Sequence, residues 1–223
     1  MPNDFAIIRR LKSKECEVCV NEPDHKRVAP AAERNKQPIL EALIPVLSSS
    51  ESVLEIASGT GQHAHHICSK YQNLVYQPSD YNKEEFPSIE AYREDIPSSK
   101  ILTPLQCDVL DQNDWPLEGF DLVININMIH IAPRKALKGL MAHSGRALKD
   151  GGWLYVYGPF WQDDAPRLKG NLDFDLRLKQ LDPDYGIWHL NDVIEAARSE
   201  NLAFQNSLAM PANNLSLFFR KET

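Results

Sequence analysis

Three carboxylates and two closely spaced glycines carry the chemistry that this sequence offers. Gly59 and Gly61 close the apolar run ValLeuGluIleAlaSerGlyThrGly (53–61), and a polar, His-rich stretch with helix formers follows from Gln62 to Tyr71. Such glycines take positive φ at little cost and put no Cβ in the way of a ligand. A helix beginning after Gly61 turns its free N–H groups and positive end towards the same spot. Glu55 lies within the run, Asp80 ends the next apolar segment 19 residues after Gly61, and Asp108 ends the third. At Asp80 a carboxylate can accept from both hydroxyls of a ribose, and at Asp108 from the exocyclic amine of an adenine.

Two ligands compete for this arrangement. Gly59, Gly61 and Ala64 satisfy GxGxxA, the dinucleotide pattern that seats a pyrophosphate on the helix. Glu55 favours the other ligand, because it would face a pyrophosphate unfavourably and attract an amino or sulfonium cation. An acidic rim over three successive strands suits S-adenosylmethionine, which is cationic and has no phosphate. Acids at strand ends also serve as N-caps of the following helix, so the weight rests on their ordered recurrence.

The elements that must place these residues alternate. Short apolar runs at 53–56, 74–77, 101–106, 120–126 and 153–157 read as strands, with 120–126 the most apolar and therefore central. Helical spacing marks 29–47, where Pro38 and Pro45 are expected to split or bend the helix. Helices are also expected at 82–96, 133–149 (stopped by Lys149, Asp150 and Gly151), 171–181 and 190–200. Two last strands, 203–210 and 215–219, are close enough to form an antiparallel hairpin. The expected fold is α/β: a Rossmann-like three-layer αβα sandwich with a mostly parallel seven-stranded sheet and a C-terminal antiparallel hairpin. The expected division is a polar tail over 1–26 and a single domain over 27–223.

Composition excludes several function classes. The 223 residues carry a net charge of −7, so the basic surface that binds phosphate backbones is missing, and nucleic acid is not an expected partner. No stretch approaches the roughly 18 apolar residues of a membrane span, and the first 20 residues show no apolar signal core. A soluble, cytoplasmic protein with reduced thiols is expected. Cys16 and Cys19 form a CxxC with His25 beyond it, but no fourth zinc ligand stands nearby. His63, His65 and His66 include no i, i+4 pair, so no metal is expected.

Five segments resemble the small methyltransferase-like 26 family, within the class I S-adenosylmethionine-dependent methyltransferases. They are ArgValAlaProAlaAlaGluArgAsn (27–35), GluIleAlaSerGlyThrGlyGlnHis (55–63), TyrGlnProSerAsp (76–80), AsnMetIleHisIleAlaPro (127–133) and MetProAlaAsnAsn (210–214). Ala57 replaces the first glycine of the class motif ExGxGxG. The resemblance implies a cofactor site of Glu55, Ala57, Gly59, Gly61, Asp80, Asp108, Val109, Asn125 and Ile126, with Arg34 and Asn35 as lid contacts. S-adenosyl-L-methionine would be the methyl donor and S-adenosyl-L-homocysteine the product, with the acceptor left open.

Methyl transfer rests mainly on alignment, and a base is needed only if the acceptor must shed a proton. His130, just past the fourth strand, is the candidate base, and Tyr157 a second candidate catalytic residue. Phe160, Trp161, Asn171, Asp175 and Trp188 are expected to wall the acceptor pocket. AsnIleAsnMet (125–128) lacks the AsnProProTyr type of motif that grips a flipped base. A small molecule is the expected acceptor of an O, N or S methylation, with a protein side chain second. A nicotinamide-dependent oxidoreductase and a non-catalytic adenosyl-binding or partner-binding protein are the alternatives.

Overall fold

A computed structural model of the chain describes residues 25–96, 100–111 and 118–223. The expected tail, with Cys16 and Cys19, lies outside these residues up to position 24.

The first helix, α1 (Pro30–Leu47), starts with Pro30 in its first turn, where a missing N–H costs nothing. It runs unbroken through Pro38 and Pro45, against the expectation that these would divide it. Each proline forgoes one intrahelical bond, and burial of Ile39, Leu40, Leu43, Val46 and Leu47 outweighs that loss. There follow β1 (Ser52–Ile56), α2 (Gln62–Cys68), β2 (Val75–Asp80), α3 (Phe86–Glu94), β3 (Lys100–Ile101), β4 (Leu105–Gln106), β5 (Phe120–Ile126), α4 (Ala136–Ala147) and β6 (Leu148–Gly158). The remainder holds β7 (Phe160–Trp161), α5 (Lys169–Leu181), β8 (Trp188–His189), α6 (Leu190–Arg198), β9 (Leu202–Met210) and β10 (Asn214–Lys221).

The central sheet has the order β3-β2-β1-β5-β6-β10-β9, with β4 also on β2. Strands β1, β2, β5 and β6 run parallel, while β10 lies antiparallel between β6 and β9. The fold is therefore the expected Rossmann-like one, with the antiparallel strands at its C-terminal edge. Among the described residues this sheet has eight strands where seven were expected. The expected strand 101–106 is interrupted before Pro104, which has no N–H to give a ladder, and the side chain of Gln77 takes up the Thr103 carbonyl instead. Helix α4 also stops two residues earlier than expected, because β6 already begins at Leu148. Gly151 takes φ +73° inside that strand, opposite a register irregularity in β5. The small sheet β7-β8 falls in a segment whose polar composition announced no strand.

Side chains alternate across β5, Leu122 and Ile124 facing the layer of α1 and α2, Val123 facing that of α4 and α6. The carboxyl edge of the sheet collects Ile56, Asp80, Ile126 and Gly158. Because β10 runs the other way, its first residue, Asn214, arrives at that same edge, beside Gly158.

Candidate functional site

The chain turns from β1 into α2 through three left-handed residues, Ala57 (φ +61°), Gly59 (φ +57°) and Gly61 (φ +87°), the last capping α2. A Cβ on Gly61 would stand 2.9 Å from the Cα of Ile89, so α3 passes too close for any side chain. A Cβ on Gly59 would meet nothing within 4 Å, which leaves the turn open on its outer side. Ala57 occupies a backbone region that disfavours a Cβ by about 1–2 kcal/mol. Part of this returns as unfolded-state entropy when glycine is introduced. Ala57→Gly is accordingly expected to raise stability by up to about 1 kcal/mol in urea unfolding, and a loss of stability would contradict the strain at this position.

The second strand fastens this turn. Asp80 is 4% exposed; its Oδ2 accepts from the Gly59 N–H and its Oδ1 from the Asn82 N–H, each at 2.9 Å. Ser58 donates its N–H to the Ser79 carbonyl at 2.8 Å. Asp108 lies exposed beyond β4, with Oδ1 accepting from the Leu110 N–H at 2.8 Å, and Val109 beside it is buried. Asn125 is fully buried and donates to the Ile56 carbonyl at 3.0 Å, while its Oδ1 has no partner. Ile126 follows at the strand end, half-buried.

Glu55 is 1% exposed and its Oε2 has no hydrogen-bond partner. Burial pushes its pKa from 4.5 up to about 8, against the hydroxyls of Ser58 and Tyr76, which pull the other way. The carboxyl is thus largely protonated at neutral pH, whereas the sequence suggested a standing negative charge; a cation brought against it would restore the charge. Between those two values the folded chain holds a proton that the unfolded chain has released, so this group lowers stability as pH rises from about 5 to about 8. Glu55→Gln should therefore melt higher than the parent at about pH 8 and level with it at about pH 5. An equal gain at both would exclude the carboxyl as the cause.

The start of α1 is strapped over the turn. The Ala29 N–H donates to Gln62 Oε1 at 2.6 Å, Gln62 Nε2 donates to Glu33 at 2.9 Å, and the Arg27 N–H donates to Ser88, whose hydroxyl donates to the Thr60 carbonyl at 2.8 Å. Arg27 also pairs with Glu85. Asn35 is carried inward, where its Oδ1 accepts from His63 Nε2 at 2.9 Å; the neighbouring Arg34 is exposed. Gln62 and His63 are contacts that spacing could not single out, since their partners lie 28 to 33 residues away.

On the far side of β5, Tyr157 is buried, and the amides of Asn35 and Asn214 bear on its hydroxyl; burial wins and raises its pKa. His130 is 1% exposed, packed edge-on against Phe160 with ring centroids 5.2 Å apart, and neither ring nitrogen has a partner. Burial lowers its pKa to about 4, so the imidazole is neutral. A Cβ on Gly158 would stand 2.3 Å from its Nε2. Of the expected pocket residues, Asn171 donates to the Asn213 carbonyl, and Asp175 accepts from the Ile187 N–H at 2.7 Å. Those two fasten α5 to its neighbours. Trp188 donates to the Ile129 carbonyl at 2.9 Å under the guanidinium of Arg134. Trp161 lines a separate concavity with Asp163, Asp164 and Asn191. Among the described residues no three His, Cys, Asp or Glu gather to hold a metal, and no helix is long and apolar enough to cross a membrane.

A family model described as protein of unknown function (DUF938) matches residues 26–221. The chain belongs to the DUF938 family. Solved methyltransferases share its fold. An O-methyltransferase family protein from Burkholderia thailandensis superposes on this DUF938 chain with a TM-score of 0.72 at 17% identity, over 86% of this chain and 58% of that one. Human N-acetylserotonin methyltransferase, solved in complex with SAM, gives 0.67 at 16% identity, over 86% and 53%. The mitomycin 7-O-methyltransferase MmcR gives 0.72 at 15%, over 86% and 54%. The DUF938 chain spans between about half and three-fifths of the length of these three proteins.

Proposed function

We propose that this DUF938 chain is an S-adenosylmethionine-dependent methyltransferase acting on a small-molecule acceptor. The observation that carries the reading is the solvent-shielded, unbonded oxygen Glu55 Oε2 near the end of β1, just before the turn that is open at Gly59. Native interiors rarely leave such an atom without a partner, and a ligand bearing hydrogen-bond donors and a positive charge would satisfy it; Asn125 Oδ1, on the opposite face of the sheet, is a second unbonded oxygen. Asp80 would take the ribose hydroxyls, Asp108 and Val109 would border the adenine, and Ala57, Gly59 and Gly61 would line the backbone side. Asn125 and Ile126 would flank the sulfonium end, with Asn35 over it, and the exposed Arg34 guanidinium is suited to the methionine carboxylate. His130 and Tyr157 stand on the acceptor side of the same edge.

When bound, S-adenosylmethionine supplies a methyl group already activated on a sulfonium, so the chain's task is to align an acceptor with it and exclude water. The names of the solved proteins of like fold, among them O-methyltransferases for small molecules, support that acceptor class. The five segments that resemble the methyltransferase-like 26 family support kinship with it. Thermal shift with S-adenosylhomocysteine against NAD is the first test: stabilisation by the former is expected, and stabilisation by NAD alone would overturn the proposal. Transfer of labelled methyl to a metabolite extract, with mass identification of the product, would then name the acceptor. Retained cofactor with no transfer to extract or lysate would favour a non-catalytic binding protein.

A further inference from the structure

The turn that leaves β5 carries an arginine that is withdrawn from solvent and has nothing to bond. Among the described residues Arg27, Arg93 and Arg134 are the half-buried arginines. Arg27 pairs with Glu85, and Arg93 with Glu90 and the Ile101 carbonyl. Arg134 has neither an ion pair nor a hydrogen bond, and its guanidinium lies over the Trp188 ring, 4.2 Å from the centroid. Stacking of this kind fixes the guanidinium plane and leaves its N–H edge unspent. The ring beneath is itself fixed, by its bond to the Ile129 carbonyl and by the pairing of Trp188 with Phe160, just beyond β6. The turn is fastened to the same strand, Asn127 donating its N–H to the Tyr157 carbonyl at 2.8 Å. Arg134 therefore belongs to the carboxyl ends of β5 and β6, the edge proposed for the acceptor.

The surroundings favour a negative charge that the chain does not supply. Helix α4 has Lys135 as its N-cap, with no side-chain cap bond and no acidic residue in its first turn. Arg134 and Lys135 thus set two cations at the positive end of a helix, where an anion is preferred. Asp175, across Gly186, is spent elsewhere: its oxygens take Lys179 Nζ at 2.6 Å and the Ile187 N–H at 2.7 Å. A Cβ on Gly186 would stand 2.8 Å from Asp175 Oδ1 and 3.4 Å from a terminal nitrogen of Arg134, so bare backbone is what admits both side chains.

We infer that Arg134 holds a carboxylate of the methyl acceptor, and that this carboxylate is the anchor and not the group methylated. The inference rests on the reading of the site as one for methyl transfer. A guanidinium fork meets both oxygens of a carboxylate with parallel N–H donors, and lone pairs so occupied make poor nucleophiles. The acceptor is then an organic acid modified at another O, N or S atom, and its product keeps the charge. One unpaired guanidinium balances one negative charge, which fits a carboxylate better than a phosphate dianion. An ammonium has no place against it, since like charges repel. In a chain of net charge −7, an anion is drawn to such a local reversal of sign.

The test uses the full chain, with and without S-adenosylhomocysteine, and three probes, benzoate, inorganic phosphate and benzylamine. Calorimetry should show benzoate binding at least about tenfold tighter than either of the others. Arg134→Gln should weaken benzoate binding at least about tenfold, and Arg134→Lys, which keeps the charge without the fork or the flat stack, nearly as much. Affinity for S-adenosylhomocysteine should be unchanged in both variants, which shows that they are folded. For the acceptor itself, a metabolite extract is divided by anion exchange at neutral pH and each fraction is incubated with labelled S-adenosylmethionine. The labelled product should arise from the retained fraction and be retained again. No benzoate binding, equal or tighter binding of phosphate or benzylamine, full benzoate affinity in Arg134→Gln, or an acceptor in the unretained fraction would each overturn the inference. Failure to bind S-adenosylhomocysteine, or no transfer to either fraction, would instead remove the methyltransferase reading, while the benzoate titrations still test the anion site at Arg134.

Discussion

Asp80→Ala is expected to lower the affinity for S-adenosylhomocysteine by about a hundredfold, equivalent to roughly 2.7 kcal/mol. One buried carboxylate holds the Gly59 and Asn82 amides together, and charge-assisted bonds of this kind contribute roughly 1.5–3 kcal/mol each. Its loss frees the turn that must stay open at Gly59 and removes the proposed acceptor of the ribose hydroxyls. Asp80→Asn should lose nearly as much, because an amide NH2 turned towards either backbone N–H sets donor against donor. Isothermal titration of both variants is the measurement. Affinity unchanged in Asp80→Ala would end the ribose role, even if the variant melts lower.

Gly139→Ala should cause the largest loss of stability from a single methyl group. Gly139 lies within α4, where alanine ordinarily improves a helix by about 1 kcal/mol. Here the added Cβ would lie 1.9 Å from the carbonyl oxygen of Val109 and 2.9 Å from its carbonyl carbon. These are backbone atoms without a rotamer to swing aside, so the helix or the 108–111 turn must shift, at a cost of about 3 kcal/mol. In a chain of this length that corresponds to a fall in Tm of roughly 6–12 °C. The same shift would displace Asp108 and Val109, so affinity for S-adenosylhomocysteine should fall with the Tm. A variant that melts at or above the parent would show that α4 and the turn do not meet as described.

Much of the architecture was legible because it rests on local pattern. The run 120–126 became β5 over those same residues, since a strand covered on both faces leaves little doubt about its ends. The turn at 57–61 was visible through its glycines, and the structure adds that Ala57, which replaces the first glycine of the motif, carries the same left-handed backbone. What escaped depended on distant partners. Spacing alone gave no reason to expect α1 to survive two prolines, because the compensation comes from apolar neighbours elsewhere in the chain. In the sequence His63 stands among three clustered histidines that lack the spacing of metal ligands. Its significance comes from Asn35, 28 residues earlier. Asn171 and Asp175, expected on the pocket wall, also hold the Asn213 carbonyl and the Ile187 N–H, bonds to partners that spacing does not announce. Glu55 shows that residue type is not charge state, which only its burial decides.

The reversed direction of β10 divides the carboxyl edge between two stretches of chain with separate histories. Everything proposed for the cofactor comes from residues 34–126, whereas the turn at 211–213 reaches the edge from the far end of the sequence, on the other side of β6. Exchanging or lengthening that hairpin can therefore reshape one wall without disturbing the glycine turn. Such modularity would let that wall be altered while the proposed donor site is kept, and it makes residues 210–214 the natural graft point for testing what the wall admits.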